Sequence, residues 1–240
     1  LDILSLRMHP PPDADRRLVL TSGAAAVVAL LATGCAVPAT PAPFSTAEAA
    51  DAPGFTPVPP SGDDRLVVPP GYEASLLYRW GEPTGIPGAL PAWRPDASTT
   101  AADQALQAGM HHDGMHFFAL AADGRRGLLV LNHEYTDESL LHADGARGAP
   151  SLERVRKSQH AAGVSVIEVA AGSAGWQQVL PSRYARRIHA NTPMRISGPA
   201  AGAPAMRTAL NPPGDAVLGT LANCAMGVTP WGTYLTCEEN

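Results

Sequence analysis

The chain has 240 residues, enough for one or two domains with their own cores, so its size requires neither a disulfide framework nor oligomerisation. Apolar residues make up 45% and charged residues 16%, with 24 prolines and 23 glycines, which fits a turn-rich globular protein and argues against a helix bundle. A formal net charge of -5, with no Arg/Lys stripe interleaved with aromatics, excludes nucleic acid as a partner.

Residues 15 to 34, DRRLVLTSGAAAVVALLATG, place an arginine pair ahead of a short apolar stretch. A membrane span needs about twenty apolar residues, so a cleavable export signal fits better and no stable membrane insertion is expected after cleavage. Arg16 and Arg17, followed by Leu20, resemble a twin-arginine signal, although Asp15, Val19 and Thr21 depart from its preferred residues. This predicts a leader over 1–37, the twin-arginine export machinery as a partner, and a periplasmic or secreted protein. LATGC at 31–35 would instead allow a lipid anchor through Cys35, but alanine rather than leucine stands three residues before it, which favours ordinary cleavage. Residues 38–64 are rich in Pro, Ala and Ser and lack alternation, so they read as an extended linker, and the folded part is expected from 65 to 240.

From there the pattern is one of hairpins. RLVVPPGYEASLLYRW (65–80) carries two β-type runs around Pro-Pro-Gly; MHFFALAADGRRGLLVLNHEY (115–135) carries two around Ala-Asp-Gly-Arg, where glycine supplies the positive φ. GVSVIEVAAGSAGWQQVLP (163–181) and NCAMGVTPWGTYLTCEEN (223–240) repeat the plan. Helical periodicity is confined to short pieces at 101–108 and 151–158. Successive hairpins predict an all-β antiparallel fold, a sandwich or a propeller.

Two hairpins differ from the others in ending on groups that bind metals. LLVLNHE closes on Asn132, His133 and Glu134, and TYLTCEEN on Glu238, Glu239 and Asn240; their first strands are preceded by His111, His112 and Asp113, and by Asn223 and Cys224. Paired glutamates often lie in solvated loops, and strand-side histidines are often structural. Two such clusters at equivalent positions strengthen the functional reading, because the strand ends of a propeller converge on a central channel, and a multi-metal site requires that convergence. Cys224 and Cys237 could also form a disulfide across their hairpin, or remain buried thiols.

The segments HHDGMHFF, GLLVLNHEY, GVSVIEV, TPMRISGPAAG (192–202) and NCAMGVTPWGTYLTCEEN together resemble the PhoX family of secreted bacterial alkaline phosphatases, from about residue 65 onward. The resemblance implies a β-propeller that hydrolyses phosphomonoesters with iron (Fe3+) and calcium, and a monomer when full length. It implies that Cys224 supplies a thiolate to iron and Glu238 a carboxylate, with Glu239, Glu134 and Asp113 as further metal ligands and Cys237 given to packing. His111, His112 and His116 could orient ligands or donate to phosphate, and the sequence does not choose among them. Arg186, Arg187 and Arg195 are left outside the site. Chains of that family continue well past the CEEN run, so this sequence is expected to be an N-terminal part, a partial β-propeller, inactive alone. A calcium-binding propeller with lactonase-like or purely binding function is the alternative, and it has no use for Cys224 as an iron ligand.

Overall fold

The computed structural model describes residues 55–239; the predicted leader, Cys35 and linker residues 38–54 lie outside them. The described residues fall into two units, 55–75 and 76–239. In the first, Pro69 to Tyr72 make a turn in which the Tyr72 amide donates to the Pro69 carbonyl at 3.0 Å and Gly71 takes φ 86°. The hairpin expected over 65–80 is not formed, since no residue of that stretch is in a strand. Pro69 and Pro70 remove two ladder donors beside the turn. Of the apolar residues of the two runs, Leu66 and Leu76 are 77% and 82% exposed, whereas Tyr78 is buried and Leu77 half-buried without joining a strand.

The second unit is built on a five-stranded antiparallel sheet. Strands β1 (His112–Ala119) and β2 (Arg126–His133) form the hairpin that the Ala-Asp-Gly-Arg run predicts; Gly124 at φ 68° donates to the Ala121 carbonyl and closes the turn. Strand β3 (Gly163–Gly172) pairs with β2 from His133↔Gly163 to Arg126↔Ala170. Its other edge is shared by β4 (Gly175–Gln178) and β5 (Arg186–Ile188). Being paired on both edges, β3 is buried almost throughout.

Alternation along these strands separates two faces. On one, Phe117, Leu129, Leu131, Ile167 and Val169 pack with Leu77, Tyr78 and Ala108 from the preceding segment. That segment includes helix α1 (Ala101–Gln104), started by a capping box between Thr100 and Asp103. Helices α2 (Glu138–Leu141) and α3 (Leu152–Ala161) begin on Asp137 and Ser151 caps; Leu141 and Ala161 join Met110 and Trp80 in a second small core. Helix α1 covers only the first half of the piece expected at 101–108, and α3 runs three residues past the one expected at 151–158.

Two further antiparallel pairs follow, β6 (Pro193–Arg195) with β7 (Ala216–Leu218) and β8 (Asn223–Val228) with β9 (Tyr234–Glu238). The architecture is mostly antiparallel β with few short helices, and no sheet closes into a barrel among the described residues. Nor is any described helix long and apolar enough to cross a membrane.

Candidate functional site

The two hairpins singled out in the sequence are built alike. In β1–β2, His112 pairs with His133 and Met115 with Leu131, so Asp113 and Gly114 bulge opposite Asn132. In β8–β9, Asn223 pairs with Glu238 and Met226 with Thr236, so Cys224 and Ala225 bulge opposite Cys237. Each bulge is preceded by a non-glycine residue in the left-handed region, His111 at φ 47° and Ala222 at φ 52°. Each hairpin is also closed by the same bond, Glu134 N to His111 O and Glu239 N to Ala222 O, both at 3.0 Å. The register makes Asp113 equivalent to Cys224, and Glu134 equivalent to Glu239. Four of the five expected ligands thus occupy two repeated positions, one in the bulge and one just past the second strand.

The hairpins are joined through Asn132, which is fully buried. Its amide nitrogen donates to the carbonyls of Cys224 at 3.0 Å and Ala225 at 3.2 Å. Its oxygen accepts from the hydroxyls of Tyr234 and Thr236, both at 3.0 Å. The Tyr234 hydroxyl also lies 2.9 Å from the Gly114 carbonyl, so its single proton is shared between the two oxygens, and Thr236 accepts from Asn223 Nδ2 at 3.0 Å. The reverse amide orientation would set oxygen against two carbonyls, so the network fixes it. Gly114 allows the approach: a Cβ there would stand 2.7 Å from the Cys224 carbonyl oxygen. Burial pushes the Tyr234 phenol up to about 12, with the charge of Asp113 adding to the shift, so this hydroxyl remains a donor in alkaline solution.

The expected ligands are available rather than consumed. Cys224 is half-buried and Cys237 exposed, and both are free, so the disulfide possibility is not realised and Cys237 does not serve the packing expected of it. Among the described residues the carboxylates of Asp113, Glu134 and Glu239 make no ion pair or hydrogen bond with another side chain. Glu238 is partly engaged, since Oε1 accepts from Thr220 Oγ1 at 2.6 Å and from the Leu221 amide at 3.0 Å, leaving its second oxygen. No three His, Cys, Asp or Glu side chains among the described residues are gathered as a metal-holding group. The donor types nonetheless fit the metals the resemblance implies, thiolate and carboxylate for iron and carboxylate for calcium. Buried polar atoms without partners cluster on the same stretches: His111 Nε2, His112 Nε2, His133 Nδ1 and Asn223 Oδ1.

The histidines have distinct settings. His111 stacks on Tyr135 with ring centroids 3.7 Å apart; His112 stacks on Tyr78 and meets His133 edge-on at 4.8 Å. His133 Nε2 lies 2.7 Å from Ser165 Oγ, and burial, then the positive charges of Arg187 and His112, holds its pKa well below the usual range. Burial lowers His112 as well. His116 packs edge-on against Phe118. Of the arginines, Arg186 and Arg195 are exposed, whereas Arg187 is buried and donates to the carbonyls of Gln107, Val164, Ile188, His160 and Ala162. The sequence groups Asn132 with the ligand-type residues at a strand end, whereas the structure uses it to join the hairpins; Tyr234 and Thr236 carry no signal in the sequence. Strand alternation could have found Asn132, since it follows Leu128 and Val130 on one face of β2.

A separate cavity of about 520 Å³ lies at the far end of β2, lined by Arg126, Glu168, Ser182, Arg183 and Tyr184 among others. Glu168 there is already engaged by Arg126 and Ser182.

The family described as alkaline phosphatase PhoX matches residues 53–240. No curated protein matches the chain. Among solved structures, Pseudomonas fluorescens PhoX in complex with vanadate, a transition state analogue, is 48% identical with a TM-score of 0.72. The match covers 78% of this chain and 32% of that one, so the chain spans about a third of its length.

Proposed function

Because the chain belongs to the alkaline phosphatase PhoX family, we propose that the full-length protein hydrolyses phosphomonoesters and releases inorganic phosphate. The observation that carries this beyond family membership is the pair of equivalent bulged hairpins, which present Asp113 with Glu134 and Cys224 with Glu239 from one joined framework. The matched PhoX structure holds vanadate, a transition state analogue, which supports this reading.

Cys224, Glu238, Glu239, Glu134 and Asp113 would hold iron (Fe3+) and calcium. Bound there, these metals supply Lewis acidity toward the phosphoryl oxygens and the leaving oxygen. The chain's own contribution is placement and electrostatics. Neutral His112 and His133 add no charge beside the carboxylates at working pH. Tyr234 keeps its proton in alkaline solution and so maintains the bond to the Gly114 carbonyl that braces the Asp113 bulge. The β1–β4 meander is read as one blade of a partial β-propeller and β8–β9 as the start of another. The leader is read as a twin-arginine signal delivering a periplasmic or secreted monomer.

The test uses full-length protein, p-nitrophenyl phosphate at alkaline pH, and metal analysis. Cys224→Ser should lose iron and about 100-fold or more of kcat/KM, whereas Cys237→Ser keeps both. Equal iron in the Cys224→Ser protein and wild type would overturn the thiolate assignment; calcium without iron or phosphatase activity in wild type would overturn the function.

A further inference from the structure

We propose that Asn132 is a positioning residue for the metal site, setting the separation between the Asp113 bulge and the Cys224 bulge; this rests on the phosphatase reading above. Four contacts meet on its side chain, and all four run from β2 to the β8–β9 hairpin. The amide nitrogen holds the peptide of the cysteine itself, at the Cys224 and Ala225 carbonyls. The oxygen collects Tyr234 and Thr236 from β9, and through Tyr234 reaches the Gly114 carbonyl, next to Asp113. Asn132 is 0% exposed and sits opposite its own hairpin's bulge, so one residue fixes the local backbone of both bulges at once.

The side-chain chemistry is specific to asparagine. Two donors face two carbonyls and one oxygen faces two hydroxyls, so aspartate would set a carboxylate against carbonyl oxygens, and leucine would remove the donors to the Cys224 and Ala225 carbonyls and the acceptor of the Thr236 hydroxyl. A purely structural residue would need only to fill the space. The ladder pairs Gly163 to Ala170 of β3 with β2 whatever residue 132 carries, so the sheet does not depend on this amide, whereas the side-chain bonds from β2 to the Cys224 and Ala225 peptides do.

The experiment compares full-length wild type with Asn132→Ala, the milder Thr236→Val, and Leu141→Ala as a destabilised control in the separate small core. Readouts are iron content, the visible absorption of the iron-thiolate pair, kcat/KM, and the rate at which iodoacetamide alkylates Cys224 in chelator-treated protein, followed by peptide mass spectrometry. The expectation is a loss of about 10- to 100-fold in iron affinity or kcat/KM and a shifted absorption band in Asn132→Ala, with a smaller change of the same kind in Thr236→Val. Leu141→Ala should lower Tm and leave the band in place. A wild-type band and rate in folded Asn132→Ala, or an equal band shift in Leu141→Ala, overturns the proposal. If Asn132→Ala does not fold, Thr236→Val decides by the same criteria. If wild type carries neither iron nor phosphatase activity, the functional reading falls separately, and positioning is judged by alkylation: an unchanged Cys224 rate in the variants overturns it.

Discussion

Arg187 shows how far a residue's setting can depart from its sequence neighbourhood. Within Arg-Arg-Ile of β5, Arg186 is exposed while Arg187 is 8% exposed. Its ladder partner Ser165 places it on the same face of the sheet as the buried core. No carboxylate pairs with it among the described residues; it is held by five carbonyls, and burial lowers its pKa to about 10. Lysine, with a single ammonium, cannot reach all five. Arg187→Lys should therefore cost about 2–4 kcal/mol, read as a lower urea midpoint with unchanged slope. A three-residue strand is too short to show alternation, which is why Arg186 and Arg187 looked alike. A second residue-scale expectation concerns His189, whose pKa is lowered to about 4 by burial first, then by His160, 4.1 Å away ring to ring, and Arg187. Below about 6.5 the unfolded chain gains a proton that the folded state resists, so stability is present above that pH and is lost as pH falls toward 4. His189→Asn should flatten this part of a stability-against-pH curve measured by denaturant unfolding. An unchanged curve would assign the acid sensitivity to other groups.

At the scale of elements, hairpins were legible and bulges were not. Asp-Gly and Thr-Pro-Trp-Gly announce turns, and alternation announces strands, so β1–β2, β3–β4 and β8–β9 lie where the pattern puts them. An extra residue in a strand leaves no compositional mark, and neither HHDGM nor NCAM indicates which residues escape the ladder. The hairpin expected over 65–80 fails for the converse reason: the local pattern is present, but Leu66 and Leu76 stay exposed while Leu77 and Tyr78 pack on the five-stranded sheet without joining its ladder. The bulges make two opposed predictions. Ala222 occupies a left-handed conformation that costs an alanine about 1 kcal/mol or more, so Ala222→Gly should stabilise the β8–β9 hairpin by about 0.5–1 kcal/mol. Gly114→Ala drives a methyl group against the Cys224 carbonyl oxygen, which is backbone and cannot swing away. It should destabilise by about 1–3 kcal/mol and weaken iron binding along with it. Thermal or urea unfolding of both variants checks the signs, and a stabilised Gly114→Ala would mean that the hairpins do not approach as closely as described.

Across the second unit, stability is unevenly distributed. The five-stranded sheet buries Leu131, Ile167 and Val169 almost completely, and β3 is paired on both edges. The β6–β7 and β8–β9 pairs are two-stranded and leave Val217, Leu218, Leu235 and Trp231 each more than half exposed. Isolated two-stranded pairs are marginal in water. Antiparallel hairpins were readable because each is local, whereas gathering Cys224, Glu238, Glu239, Glu134 and Asp113 around metals depends on long-range packing that no local pattern encodes. Asn132 bridges the two kinds of information, since its burial follows from strand alternation but its partners lie about ninety residues away. Hydrogen exchange should resolve the difference in the 240-residue chain. Amides of Leu129, Leu131, Ile167 and Val169 should be the slowest, exchanging at least about 100-fold more slowly than those of Val217 and Leu235, because they open only with the whole sheet. The β8–β9 amides nearest Asn132, those of Asn223 to Met226, should fall between these groups. Asn132→Ala should bring them to the rate of Leu235 while leaving Ile167 unchanged. Equal protection of β3, β7 and β9 would instead mean that the three sheets unfold as one cooperative unit, and that the site's framework draws its rigidity from more than the Asn132 network.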